Sequence, residues 1–176
     1  MSDRSPDFPP YSYVPGGPWP HPKSHPEGHS YHITPGPAKA PDPARWHESA
    51  EYIWGCKLFN AGYYWEAHET WEPLWLAAGR RGSVADLLKG LIKLAAAGVK
   101  VREGVPQGVR THAGRARDIF LSLLPVEGSR YMGLDLNWLA SQALAIAEQS
   151  KGRSGGDEGD AVRVVFDFKL IPVLAL

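Results

Sequence analysis

Cysteine is nearly missing from this chain of 176 residues, where Cys56 stands alone. That excludes an internal disulfide and any Cys-rich zinc site, and it fits a reducing compartment. No apolar run reaches the ~20 residues that a membrane-spanning helix needs. Met1 to Pro10 lack the basic-then-apolar order of a secretory signal. Net charge is absent too, because 19 Lys and Arg balance 19 Asp and Glu. The simplest case for a nucleic-acid or anionic-membrane partner, which rests on bulk charge, is thereby removed. The expectation is a soluble, cytoplasmic, globular protein with no membrane partner.

What is present is unevenly spread. Residues 1–43 hold twelve of the 16 prolines and four of the seven histidines. Proline has no amide donor and a fixed φ, so this segment is expected to run as an extended arm with turns at Gly16-Gly17 and Gly36. Tyr11, Tyr13, Trp19 and Tyr31 are costly to leave in water, which predicts that parts of the arm lie on the folded body. Residues 44–149 read as a helical domain. Asp42-Pro43 is expected to start a first helix reaching Phe59, stopped by Asn60-Ala61-Gly62. A second helix begins near Tyr63 and stops around Gly79, with a kink or break expected near Glu69 to Glu72 because of Pro73.

Ser83 with Asp86 resembles a capping box for a third helix ending near Gly104. Its apolar face carries Leu87, Leu88, Leu91 and Leu94, with Lys89, Lys93 and Lys100 opposite. Pro106 opens a fourth helix that Pro125 is expected to end, and Asp135 caps a fifth. Residues 150–161, rich in Gly, Ser and charge, are expected to form a mobile loop. Residues 162–176 are expected to pack on the body as an extended tail or to pair with the arm. The fold class is all-α: a single-domain bundle of about five helices, with an extended arm before it and a short extended tail after it.

Charge is segregated within the neutral total. Residues 44–79 carry two basic and five acidic groups, whereas residues 80–117 carry nine basic and two acidic ones. The basic third and fourth helices therefore either offer a surface to phosphates or nucleic acid, or neutralise the acidic second helix. The placement of Lys89, Lys93 and Lys100 opposite an apolar stripe favours neutralisation and solvation.

The densest chemistry lies at Trp65-Glu66-Ala67-His68-Glu69-Thr70-Trp71-Glu72-Pro73-Leu74-Trp75. At about 100° per residue, His68 falls within the stripe of Tyr64, Trp71 and Trp75; Glu72 and Glu69 border it, and Glu66 points away. His68 and Glu72 are i, i+4 neighbours whose side chains can meet. They could share a divalent metal, act as an acid–base pair, or form a structural contact in which the carboxylate satisfies a half-buried imidazole. The zinc-peptidase pattern H-E-x-x-H fails because position 72 is glutamate. A di-iron bundle would need E-x-x-H pairs on two helices, and the chain has none. His112 borders the core stripe of its helix and could add a ligand, as could the arm's His21, His25, His29 and His32. For the arm histidines, turn and packing roles are the simpler reading. Cys56 reads as a buried small residue.

The run from Leu58-Phe59-Asn60-Ala61-Gly62 through His68-Glu69 to Trp75, followed by Lys89-Gly90-Leu91-Ile92-Lys93-Leu94-Ala95-Ala96, resembles the small helical family catalogued as domain of unknown function 309. The likeness covers about residues 50–124: an aromatic-Asn-x-Gly start, then His-Glu-x-x-Glu-x-x-Trp, then a Gly-Leu-Ile helix. It implies an all-α fold, with His68, Glu69, Glu72 and Trp75 as signature positions. It implies no activity. The family usually has a shorter N-terminus and a glutamine-like residue where Lys89 and Lys93 stand, so the arm and the added positive charge set this chain apart.

The functional expectation is a polar pocket floored by Trp71, Trp75 and Tyr64. In it His68, Glu72 and Glu69 would face a small polar or anionic ligand or a metal, with Arg80, Lys89, Arg115 and His112 in reach and the arm as a lid. Acid–base or metal-assisted hydrolytic chemistry would suit such a site. The alternatives are a non-enzymatic module binding a protein or nucleic acid through the basic helices, and a purely structural scaffold.

Overall fold

The computed structural model describes residues 7–150 and 159–174. Five helices carry the body: α1 (Ala50–Asn60), α2 (Tyr64–Ala77), α3 (Ser83–Glu103), α4 (Pro106–Glu127) and α5 (Leu136–Gln149). Helices adjacent in the chain pack on one another, and α3 lies between α2 and α4. This is the all-α bundle that the periodicity predicts. Its core is Tyr52, Phe59, Tyr64, Trp71, Leu87, Leu88, Leu91, Leu94 and Phe120, all sealed from solvent. Glycines permit some of its closest contacts, Gly90 against Phe120 among them. A Cβ on Gly98 of α3 would lie 2.5 Å from the Tyr64 ring, and one on Gly55 of α1 would overlap the Trp71 indole.

Several boundaries depart from the local signals. Asp42 accepts from Ala44 N–H at 2.9 Å, but it caps only a turn leading to a 3-10 segment at Trp46–Glu48. Ser49 is the cap of α1, its hydroxyl accepting from Tyr52 N–H at 3.3 Å. Ser83 forms no capping box, because Gly82, at φ 86°, takes the junction and makes Ser83 the first helical residue. Pro73 and Pro125 both lie inside continuous helices. Each removes only its own donor, and α2 is held by packing against α1 and α3. Gly128 ends α4, its N–H reaching Leu124 O at 2.9 Å.

A two-residue hairpin that the helical pattern did not announce joins α4 to α5. Strands β1 (Arg130–Tyr131) and β2 (Leu134–Asp135) pair antiparallel, Arg130 opposite Asp135 and Tyr131 opposite Leu134. Met132 and Gly133, at φ 46° and 80°, make its left-handed turn.

The arm and the tail are extended and lie against the helices. Tyr11, Ser12 and Val14 are buried. In the tail, Phe166 and Leu170 are buried, and Asn60 clamps Leu170 by donating to its carbonyl at 2.8 Å and accepting its N–H at 2.6 Å. Tyr64 Oη accepts from Val165 N–H at 3.0 Å. Arm and tail also meet, where Ser12 N–H donates to Ala161 O at 2.8 Å. The buried Arg102 guanidinium secures both by donating to Ser12 O at 3.4 Å and Asp160 O at 2.7 Å. Most of the loop expected over 150–161, residues 151–158, lies outside the described residues.

Candidate functional site

A half-buried edge of α2 brings together the three polar groups that the spacing singled out. One ligand atom each from His68, Glu69 and Glu72 lies within 4.8 Å of the others. His68 Nδ1 is 3.5 Å from Glu69 Oε1, too far for a strong hydrogen bond, and this nitrogen is shielded from water with no hydrogen-bond partner. The other carboxylate oxygen, Oε2, pairs with the Lys23 ammonium of the arm. Burial of Glu69 opposes its ionisation. The close approach of His68 and the bond and charge of Lys23 outweigh that effect and hold the carboxyl down at about 2.

Helices α3 and α4 carry a group of cations that influence one another. Burial lowers the Lys93 pKa, and the positive charges of Arg115 and Lys89 push it the same way. Burial likewise lowers His112, helped by Lys93, Lys100, Arg115 and His68. Lys89 and Arg115 are exposed; Lys93 and His112 are half-buried. Among the described residues none of Lys89, Lys93 and Arg115 has an ion pair; Lys100 pairs with Glu103 at 2.6 Å. Among the described residues Lys89, Lys93 and Arg115 are thus not neutralised by α2, whose Glu66 and Glu69 pair with the arm. His112 Nδ1, like that of His68, is shielded from water and unpartnered.

The aromatic floor is not where the helical wheel puts it. Trp71 is fully buried, its indole N–H donating to Tyr52 O at 3.2 Å. Tyr64 is buried as well, bonded to the tail. Both stand within the predicted stripe, but that stripe faces the core, so neither lines an opening. Trp75 is half-buried, with exposed Arg80 stacked over its ring at 5.6 Å.

The region from α1 into α4 can be placed by comparison. Residues 52–111 match the family model described as Domain of unknown function (DUF309). This segment is similar to the DUF309 family. It contains His68, Glu69, Glu72, Lys89 and Lys93, and it stops one residue short of His112. No curated protein and no solved structure matches the chain. The arm and the Arg115 half of the cationic group therefore lie outside the matched segment.

Glu66 is the residue that helical periodicity misplaces. Instead of pointing into solvent it is buried beneath the arm, accepting from Ser12 Oγ at 2.8 Å, Tyr13 N–H at 2.9 Å and His29 Nε2 at 3.1 Å. The polar residues of the arm, Ser12 and His29 among them, were the available signal. Two other arm histidines do make turns, His21 Nδ1 accepting from Lys23 N–H at 3.2 Å and His25 Nδ1 from Glu27 N–H at 3.1 Å. The arm reaches the His68 cluster through Lys23.

Among the described residues no helix is long and apolar enough to cross a membrane.

Proposed function

We propose that the face shared by α2, α3 and α4 binds a small anionic ligand. Lys93, Arg115, Lys89 and His112 receive the negative charge, and His68, backed by Glu72, meets the ligand's polar end. The observation that supports this most is the group of cations Lys89, Lys93 and Arg115, which lack carboxylate partners; burial and the charges of Arg115 and Lys89 lower the affinity of Lys93 for its proton. Like charges kept together against their mutual repulsion are offset by an anion, and a phosphate or carboxylate is the simplest one. The Glu69 and Glu72 carboxylates at the other edge argue for a compact ligand over a nucleic-acid strand, which would need an unbroken basic track. In this reading His68 is the group placed to move a proton on the ligand.

Calorimetry with inorganic phosphate and pyrophosphate tests the proposal, using the wild-type chain and the Lys93→Ala and Arg115→Ala variants. Each substitution should weaken binding about tenfold or more, the loss of one charge-assisted contact. Binding should also raise the His112 titration midpoint from below its ordinary 6.5, since the anion offsets the cations that depress it. No heat and an unmoved His112 would reject the anion reading.

A second reading rests on the donor set of His68, Glu69 and Glu72: one imidazole and two carboxylates can hold a borderline divalent ion and leave positions open. Zinc or manganese titration of wild type and His68→Ala separates it from the first.

A further inference from the structure

Between the arm and the first two helices lies a cavity of about 210 Å³ that His68 does not line. Trp54, Leu58 and Trp65 supply apolar walls, and Asp7, Glu66 and Glu69 supply carboxylates. Glu66 is committed to its three arm donors. Among the described residues Asp7 has no ion pair. At Glu69 the cavity wall already holds a cation, since the Lys23 ammonium rests on its carboxylate and 5.9 Å from the centre of the Trp65 ring. A carboxylate beside an indole face is the arrangement that recognises an alkylammonium group.

We propose that this cavity binds a small organic amine, whose ammonium group takes the place of Lys23 Nζ between Glu69 and Trp65. Three features support the exchange. The Lys23 side chain is 49% exposed, so its ammonium returns to water at little cost. The vacated contact leaves Glu69, a partly buried carboxylate, in want of a cation. The Trp54 and Leu58 walls suit the carbon chain of an amine and offer nothing to a hydrated metal ion. Lys23 is then a tethered competitor, and the ligand must displace it before it can bind. This site uses the opposite oxygen of Glu69 from the one nearest His68, so it does not depend on the anion reading.

The test is titration of the full chain with 1,4-diaminobutane and n-butylamine, read by calorimetry and by the fluorescence of the two lining tryptophans, with magnesium chloride as the control for charge alone. Lys23→Met removes the competitor from an exposed position and should tighten amine binding about tenfold. Glu69→Gln should weaken it by at least the same factor, and Trp65→Leu should weaken it without changing the phosphate titration. If the Lys23→Met protein fails to bind either amine at millimolar concentration, or if magnesium produces the same response, the proposal is wrong. Should Glu69→Gln not fold, the Lys23→Met and Trp65→Leu responses still decide it.

Discussion

The Ser12 hydroxyl donates to the Glu66 carboxylate across 2.8 Å, joining positions 54 residues apart. Ser12 is also bonded through its N–H to the tail and through its carbonyl to Arg102. A single arm residue thus ties arm, second helix, third helix and tail together. Glu66→Ala leaves the Ser12 hydroxyl, the Tyr13 amide and the His29 ring without an acceptor. The expected loss is about 1–3 kcal/mol. It should appear as faster amide exchange at Tyr13 and as new protease cleavage within residues 7–43, with the helical circular dichroism retained.

Gly98 faces the Tyr64 ring with no room for a methyl group. Gly98→Ala should destabilise the protein by about 1–3 kcal/mol, because the overpacked ring has the tail on its other side. Urea unfolding measures it; a variant as stable as wild type would mean that α3 can shift away from α2.

Cys56 is 2% exposed, and burial pushes its thiol up to about 12. The folded protein should resist a thiol-alkylating reagent at pH 8 and react at one site once denatured. Rapid labelling of the native state would contradict the packing of α1.

Glu69 contributes to stability in a pH-dependent way whose sign is determined by the lowering of its pKa. Its carboxyl falls from an ordinary 4.5 to about 2 in the fold. The contribution is therefore complete above pH 4.5 and disappears as pH falls towards 2. Wild type and Glu69→Gln should differ most in unfolding free energy near neutrality and converge below that window. A constant gap from pH 7 to pH 2 would remove His68 and Lys23 as the cause.

Some positions were readable without any fold. Ending α3 with Gly104 at φ 70° and capping α5 with Asp135, whose carboxylate accepts from Trp138 N–H at 2.9 Å, are decisions made within one turn of chain. The meeting of His68 with Glu72 is local in the same sense, because i, i+4 neighbours share a helix face whatever surrounds them. Glu69, only one residue from His68, needed a rotamer to join them, and that rotamer is held by Lys23 of the arm.

Longer-range decisions overrode local signals. Asp42 and Ser83 both look like caps, yet Ser49 and Gly82 take those places, where the chain enters its packed helices. The aromatic stripe of α2 was visible, but not which way it faced: burial of Trp71 against Gly55 and Tyr52 depends on α1 folding back. Periodicity turned Glu66 towards solvent because a helical wheel has no knowledge of a Pro-rich arm returning to cover it.

By itself the sequence determined the helices, their apolar faces and the His-Glu-x-x-Glu cluster, since these follow from chemistry repeated over three or four residues. Only the tertiary structure decided that Glu66 lies under Ser12 and His29, that Lys23 reaches Glu69, and that Lys93, His112 and Arg115 gather without acidic partners. Those relationships join residues far apart in the chain, and burial with charge, acting through space, selects them.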